Sequence, residues 1–101
     1  MKLSGVRVLD LSQYLPGPYL TNMMADHGAE VVKVETPDGE PSRKKGNLVV
    51  GQTVYFRETQ RNKKSIVLNL KTVKDRDILM QLAAQSDVIV ESFRPGVADR
   101  L

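Results

Sequence analysis

The sequence predicts an α/β fold: a Rossmann-like parallel sheet with flanking helices, incomplete at its C-terminal end. Three observations carry that prediction. Short β-branched runs recur along the chain. Segments with helical apolar spacing separate them. Gly, Pro and small polar residues fall between the two kinds of segment. Strands that alternate with helices pair in parallel, and nearly continuous apolar runs predict strands covered on both faces.

The first strand is VRVLDL at residues 6–11, entered from Gly5. A loop follows at 12–17. Pro18 suits the first turn of a helix, where its missing N–H costs nothing. Leu20, Met23, Met24 and His27 then share one helical face, and Gly28 stops the helix. EVVKVE at 30–35 is the second strand. Residues 36–47 are polar and rich in Pro, Gly and charge, which predicts a long exposed loop. Residues 51–60 suit a short helix that buries Val54, Tyr55 and Phe56. SIVLNL at 65–70 is the third strand. Thr72, with Asp75 three residues on, forms a helix N-cap, and Ile78, Leu79, Leu82 and Ala83 make an amphipathic stripe to about residue 85. DVIVE at 87–91 is the fourth strand. A turn at 92–94 leads into what reads as the first turns of another helix at 95–101. A helix that opens with nothing after it predicts a piece of a longer domain.

Composition narrows the function without choosing it. The chain has 101 residues, a formal net charge of +3, 41% hydrophobic and 27% charged residues. That length suits one small domain. The positive excess favours anionic partners such as nucleotides, CoA, RNA or acidic lipid, but equally describes an ordinary basic surface. Five aromatic side chains, none of them Trp, argue against a nucleic-acid surface built on base stacking. The absence of cysteine excludes disulfides, thiolate metal sites and a cysteine nucleophile, and fits a cytoplasmic protein. No run approaches the roughly 20 apolar residues of a membrane span. No His, Cys or carboxylate cluster has metal-ligand spacing, so no metal is expected.

In open α/β sheets, ligands bind outside the carboxyl ends of the strands. Here those ends lead into residues 12–18, 36 onward, 71 onward and 92–96. The Leu15-Pro16-Gly17-Pro18 loop runs into a helix N-terminus, but lacks both glycine-rich phosphate fingerprints. The basic run Arg61-Asn62-Lys63-Lys64, with Arg57 and Lys71, either neutralises phosphates or guards a solvated strand edge. Phe93 either stacks on a base or belongs to the core; Arg94 and Arg100 either pair with phosphate or face solvent. His27 reads as a packed or half-buried residue. Asp10, Glu35 and Glu91 stand at or near the ends of separate strands, where they either converge on one cleft or accept backbone hydrogen bonds, as carboxylates there commonly do. No nucleophile–base pair can be assembled.

Taken as an ordered set, seven stretches resemble the class III CoA-transferase family. They are LSGVRVLDLS at 3–12, PGPY at 16–19, ADHGAEVVKVE at 25–35, YF at 55–56, RNKKSI at 61–66, LNLK at 68–71 and DVIVESFRPGV at 87–97. The family includes formyl-CoA transferase, crotonobetainyl-CoA:carnitine CoA-transferase and alpha-methylacyl-CoA racemase. The resemblance implies that residues 1–101 are the N-terminal part of a CoA-binding large domain. CoA or acyl-CoA is then the ligand, contacted by Gln13, Tyr14, Leu15 and Pro16 after the first strand and by Leu68 and Lys71 after the third. Ser92 and Phe93 follow the fourth strand, and Arg100 and Leu101 complete the set. Ser92 stands where the family has Asn, and Thr36 where some members carry Arg. The resemblance also implies an interlocked homodimer and an Asp nucleophile beyond residue 101, so no residue here inherits catalysis and the chain alone is expected to be inactive. A non-enzymatic CoA- or nucleotide-binding module, half of a split enzyme, part of a racemase and a basic nucleic-acid-binding domain are the rival readings.

Overall fold

A computed structural model describes residues 1–44, 48–49 and 52–101. In chain order the elements are β1 (Arg7–Asp10), α1 (Pro16–Asp26), β2 (Glu30–Glu35), a 3-10 turn (Pro41–Lys44), β3 (Leu48–Val49), β4 (Gln52–Thr53), α2 (Val54–Gln60), β5 (Lys64–Val67), α3 (Val73–Ala84), β6 (Val88–Val90) and a second 3-10 turn (Ala98–Arg100).

The main sheet has four strands in the order β5-β2-β1-β6, all parallel. The chain winds outward from β1 through β2 to β5, then returns to lay β6 on the far side of β1. Its winding direction therefore reverses between β1 and β6, the topological switch point where open α/β sheets place ligands. β3 and β4 form a small antiparallel pair that sequence reading did not foresee, because two-residue strands carry no periodicity.

The pleat sorts the core. Leu9, Val34, Leu68 and Leu79 are buried on the α3 face. Val8, Val31 and Ala29 are buried on the other face with Met24 and Ala25 of α1. On the α1 face the strands turn polar toward their carboxyl ends, with Asp10 of β1 directly opposite Lys33 of β2. Thr72 caps α3 as its spacing predicts, its hydroxyl accepting from Asp75 N–H at 3.3 Å. Gly28, at φ +103°, ends α1 in a conformation that few other residues adopt.

Five expectations need correction. The helix α1 starts at Pro16 and buries Pro18, Thr21 and Asn22, while Leu20, Met23 and His27 are exposed. Its inner face is set by hydrogen bonds to buried charges, not by the apolar stripe. β5 ends at Val67, so residues 68–70 lie beyond the strand, with Leu68 still buried. The outer strands β5 and β6 are not covered on both faces: Val67 is 58% and Ile89 51% exposed. The segment from residue 36 is not simply an exposed loop, since Glu40 and Ser42 are buried; residues 45–47 lie outside the described residues. The C-terminal stretch makes a single 3-10 turn. α2 is a helix as expected, with Phe56 beneath the Arg43 guanidinium at 4.0 Å; the side chains of Val54 and Tyr55 lie outside the description.

Candidate functional site

Beneath α1 lies a buried polar centre that the sequence did not reveal. Asp10 is fully buried, and both of its carboxylate oxygens are occupied. Oδ1 accepts from Ser12 N–H at 2.9 Å and from the Ser12 hydroxyl. Oδ2 accepts from the Thr21 hydroxyl at 2.6 Å and from Lys63 Nζ at 3.1 Å, and Lys33 Nζ lies 3.8 Å away. Lys63 also donates to Pro18 O at 3.0 Å and Gln60 Oε1 at 2.9 Å. Lys33 donates to Ser12 O.

Burial pushes Asp10 upward, but Lys33, the Ser12 and Thr21 hydrogen bonds and Lys63 outweigh it and hold the carboxyl below its ordinary range. Burial lowers Lys33, against the pull of Asp10, Glu40 and Glu35. Burial brings Lys63 down to about 8, opposed by Asp10. Thus Lys63 does not guard a solvated strand edge; its side chain is 1% exposed and is committed to Asp10, Pro18 and Gln60. Its neighbours in the basic run are also engaged. Arg61 pairs with Asp26 at 2.7 Å and donates to Glu58 O at 2.8 Å, while Asn62 donates to Asp26 at 3.0 Å. Within the run, Lys64, 73% exposed and 3.8 Å from Glu30, fits the solvated-edge reading.

A second carboxylate organises the β2 end. The Arg43 guanidinium grips Glu35 through two bonds, 2.7 and 2.9 Å long. With burial opposing, this contact and the Ser65 and Glu40 hydrogen bonds draw Glu35 down to about 2. Glu35 Oε1 also accepts from Glu40 N–H at 2.8 Å. Glu40 Oε1 in turn accepts from Tyr14 N–H at 2.9 Å, joining the loop after β2 to the loop after β1. The reading of strand-end carboxylates as backbone acceptors holds for all three named, since Glu91 accepts from Phe93 N–H at 2.9 Å.

Across the switch point, Leu11 N–H donates to Val90 O at 2.8 Å and Gln13 N–H to the Ser92 hydroxyl at 3.2 Å. Gln13, Leu68 and Phe93 meet around a pocket of about 30 Å³, walled also by Leu11 and Val34. Leu68 is shared with a neighbouring groove of about 410 Å³ that runs along Thr36, Asn69 and Lys71. Phe93 is shared with an apolar groove of about 250 Å³ that includes Leu79 and Leu101. Four of the expected residues, Gln13, Leu68, Ser92 and Phe93, thus stand together, and Lys71 and Leu101 adjoin them. Tyr14 and Leu15, 46% and 51% exposed, and the exposed Pro16 and Arg100 line none of these three depressions. Among the described residues no group of His, Cys, Asp and Glu could hold a metal, and no helix is long and apolar enough to cross a membrane.

The sequence and fold of the chain have known counterparts. Residues 3–101 match the model of CoA-transferase family III. Acetyl-CoA:oxalate CoA-transferase of Acetobacter aceti is 45% identical over 98 residues, covering 96% of this chain and 25% of that protein. Human succinyl-CoA:glutarate CoA-transferase is 46% identical over 96 residues, covering 93% of this chain and 22% of its own length. Among solved structures, a CAIB/BAIF family protein from Brucella suis superposes with a TM-score of 0.91 at 35% identity, over 97% of this chain and 27% of that one. Rv3272 from Mycobacterium tuberculosis does so with a TM-score of 0.88 at 39% identity, over 97% of this chain and 27% of the other. The chain spans about a quarter of the length of the curated relatives it matches. With a family match over nearly every residue and a parallel sheet that superposes on those structures, the chain belongs to CoA-transferase family III.

Proposed function

We propose that this chain is the N-terminal part of the CoA-binding large domain of a CoA-transferase, one that moves CoA between an acyl-CoA and a carboxylate acceptor. The observation that carries the reading is the meeting of Gln13, Ser92, Phe93 and Leu68 at the topological switch point, with Lys71 beside them. Leu68, Leu11 and Phe93 offer apolar cover for an adenine or pantetheine. Lys71 and Arg100 are exposed and cationic, suited to CoA phosphates. The relatives named for oxalate and glutarate suggest a short acyl-CoA as donor and a dicarboxylate as acceptor.

The chain alone performs no turnover in this reading. Acyl transfer through an anhydride needs an accessible carboxylate. Asp10 is sealed from solvent and saturated with donors. The work of these residues is to bind and orient CoA in a cytoplasmic homodimer whose nucleophile lies elsewhere.

Calorimetric titration of CoA into the chain at low and moderate salt tests this. CoA binds, binding weakens as salt rises, and Lys71→Ala lowers affinity about three- to tenfold. Binding that ignores both salt and the Lys71 substitution contradicts the assignment. Turnover by the chain alone, in an assay with acetyl-CoA and oxalate, contradicts the passive role.

A further inference from the structure

We propose that Glu40 is a positioning residue for the CoA-contacting loop after β1. The inference rests on the CoA reading given above for Gln13, Tyr14, Leu15 and Pro16. Glu40 itself is 2% exposed and stands 26 residues from Tyr14 in sequence. Its Oε1 accepts from Tyr14 N–H at 2.9 Å, while Oε2 accepts from Ser42 N–H at 2.6 Å and from the Ser42 hydroxyl. Its own N–H is held by Glu35, which Arg43 clamps. The carboxylate is therefore fixed from behind before it reaches across to the neighbouring loop.

What it holds is a conformation that the loop would not keep by itself. Tyr14 has φ of +67°, in the left-handed region that a bulky side chain seldom occupies. Such strained residues persist where surrounding contacts over-determine them, and they concentrate at ligand clamps. Two residues earlier in the loop, Lys33 Nζ donates to Ser12 O, so buried charges of both signs hold this segment. Tyr14 and Leu15 are meanwhile about half exposed, at 46% and 51%. A held backbone is what preorganised ligand contact requires, since it lowers the ordering cost of binding.

The experiment compares the chain with Glu40→Ala and Glu40→Gln, following Tyr14 amide exchange by NMR and CoA affinity by calorimetry. E40A speeds Tyr14 exchange and weakens CoA binding, each about tenfold, while the amides of Leu9 and Val32 in the sheet keep their protection. E40Q retains one acceptor oxygen for Tyr14 N–H but turns an amide donor toward Ser42 N–H, so it falls between the parent and E40A on both measures. Should E40A not fold, Glu40→Met fills the same space without an acceptor, and the E40A outcome is expected of it. Unchanged Tyr14 exchange in the acceptor-free variant overturns the tether. Faster exchange with unchanged CoA affinity overturns the positioning role. A parent chain that binds no CoA overturns the CoA reading and the positioning role with it, while the exchange data still judge the tether.

Discussion

Replacing Asp10 with alanine removes the anion shared by two buried lysines. Lys63 Nζ lies 3.1 Å and Lys33 Nζ 3.8 Å from Asp10 Oδ2, with the lysine side chains 1% and 2% exposed. At an effective dielectric constant of about 20, unit charges at those separations attract by about 5 and about 4 kcal/mol. Desolvating three charged groups offsets much of that gain. The asymmetry appears when the carboxylate is lost, because the two buried lysines then have no shared anion to offset their desolvation and either stay charged at a cost or give up a proton. Breaking a buried pair in this way costs about 3–5 kcal/mol. Domains of this size are stable by about 5–15 kcal/mol, so Asp10→Ala removes a large share of the margin. Urea unfolding followed by far-UV circular dichroism at pH 7 measures the loss. Adding Lys63→Met to Asp10→Ala restores about 1–2 kcal/mol, because it removes one of the stranded charges. A cost below about 1 kcal/mol for Asp10→Ala, or no recovery in the double variant, would refute the argument that this triad is a coupled, buried charge centre.

Glu35 supplies a pH dependence whose sign is fixed by its depressed pKa. Its folded value of about 2 lies below the ordinary 4.5, so its contribution is present above pH 4.5 and is lost as pH falls from there toward 2. That interval corresponds to about 3 kcal/mol, reduced to about 1–2 because the partner Arg43 is 40% exposed. Glu35→Gln therefore flattens the acid limb of a stability–pH curve, and an unchanged limb counts against the Arg43 clamp. Gly17→Ala improves helix propensity yet destabilises by about 1–3 kcal/mol in thermal melts, because the new methyl carbon would sit 2.2 Å from Ser12 Cβ. A neutral or stabilising result would mean that α1 is free to shift away from the β1 loop.

Much of this architecture was legible because its signals are local. VRVLD, EVVKVE and DVIV are short β-branched runs, Gly28 and Thr72 mark helix ends, and parallel pairing follows from alternation. Three of the misreadings share one cause: buried polar groups select partners that lie far apart in sequence. Periodicity turned α1 so that Leu20 and Met23 faced inward, whereas Thr21 is drawn to Asp10, and Asn22 is buried instead of its apolar neighbours. Lys63 sat in a run of charge that resembled a solvated edge, yet its stem passes beneath α1 to Asp10. Glu40 stood in a polar, Pro- and Gly-rich stretch, and nothing near it announced a bond to Tyr14. The switch-point site was partly readable, because strand ends nominate their loops. Ser92 and Gln13 met as that rule requires, while Arg100 did not join the pockets around them.

The central claim is that this fold presents part of a CoA site, and a two-dimensional amide NMR spectrum of the chain, recorded with and without CoA, tests it most directly. The account predicts well-dispersed peaks, with CoA-dependent shifts at Gln13, Tyr14, Leu15, Lys71, Phe93 and Arg100 and little change along β2. Dispersed peaks that stay in place at millimolar CoA would contradict it.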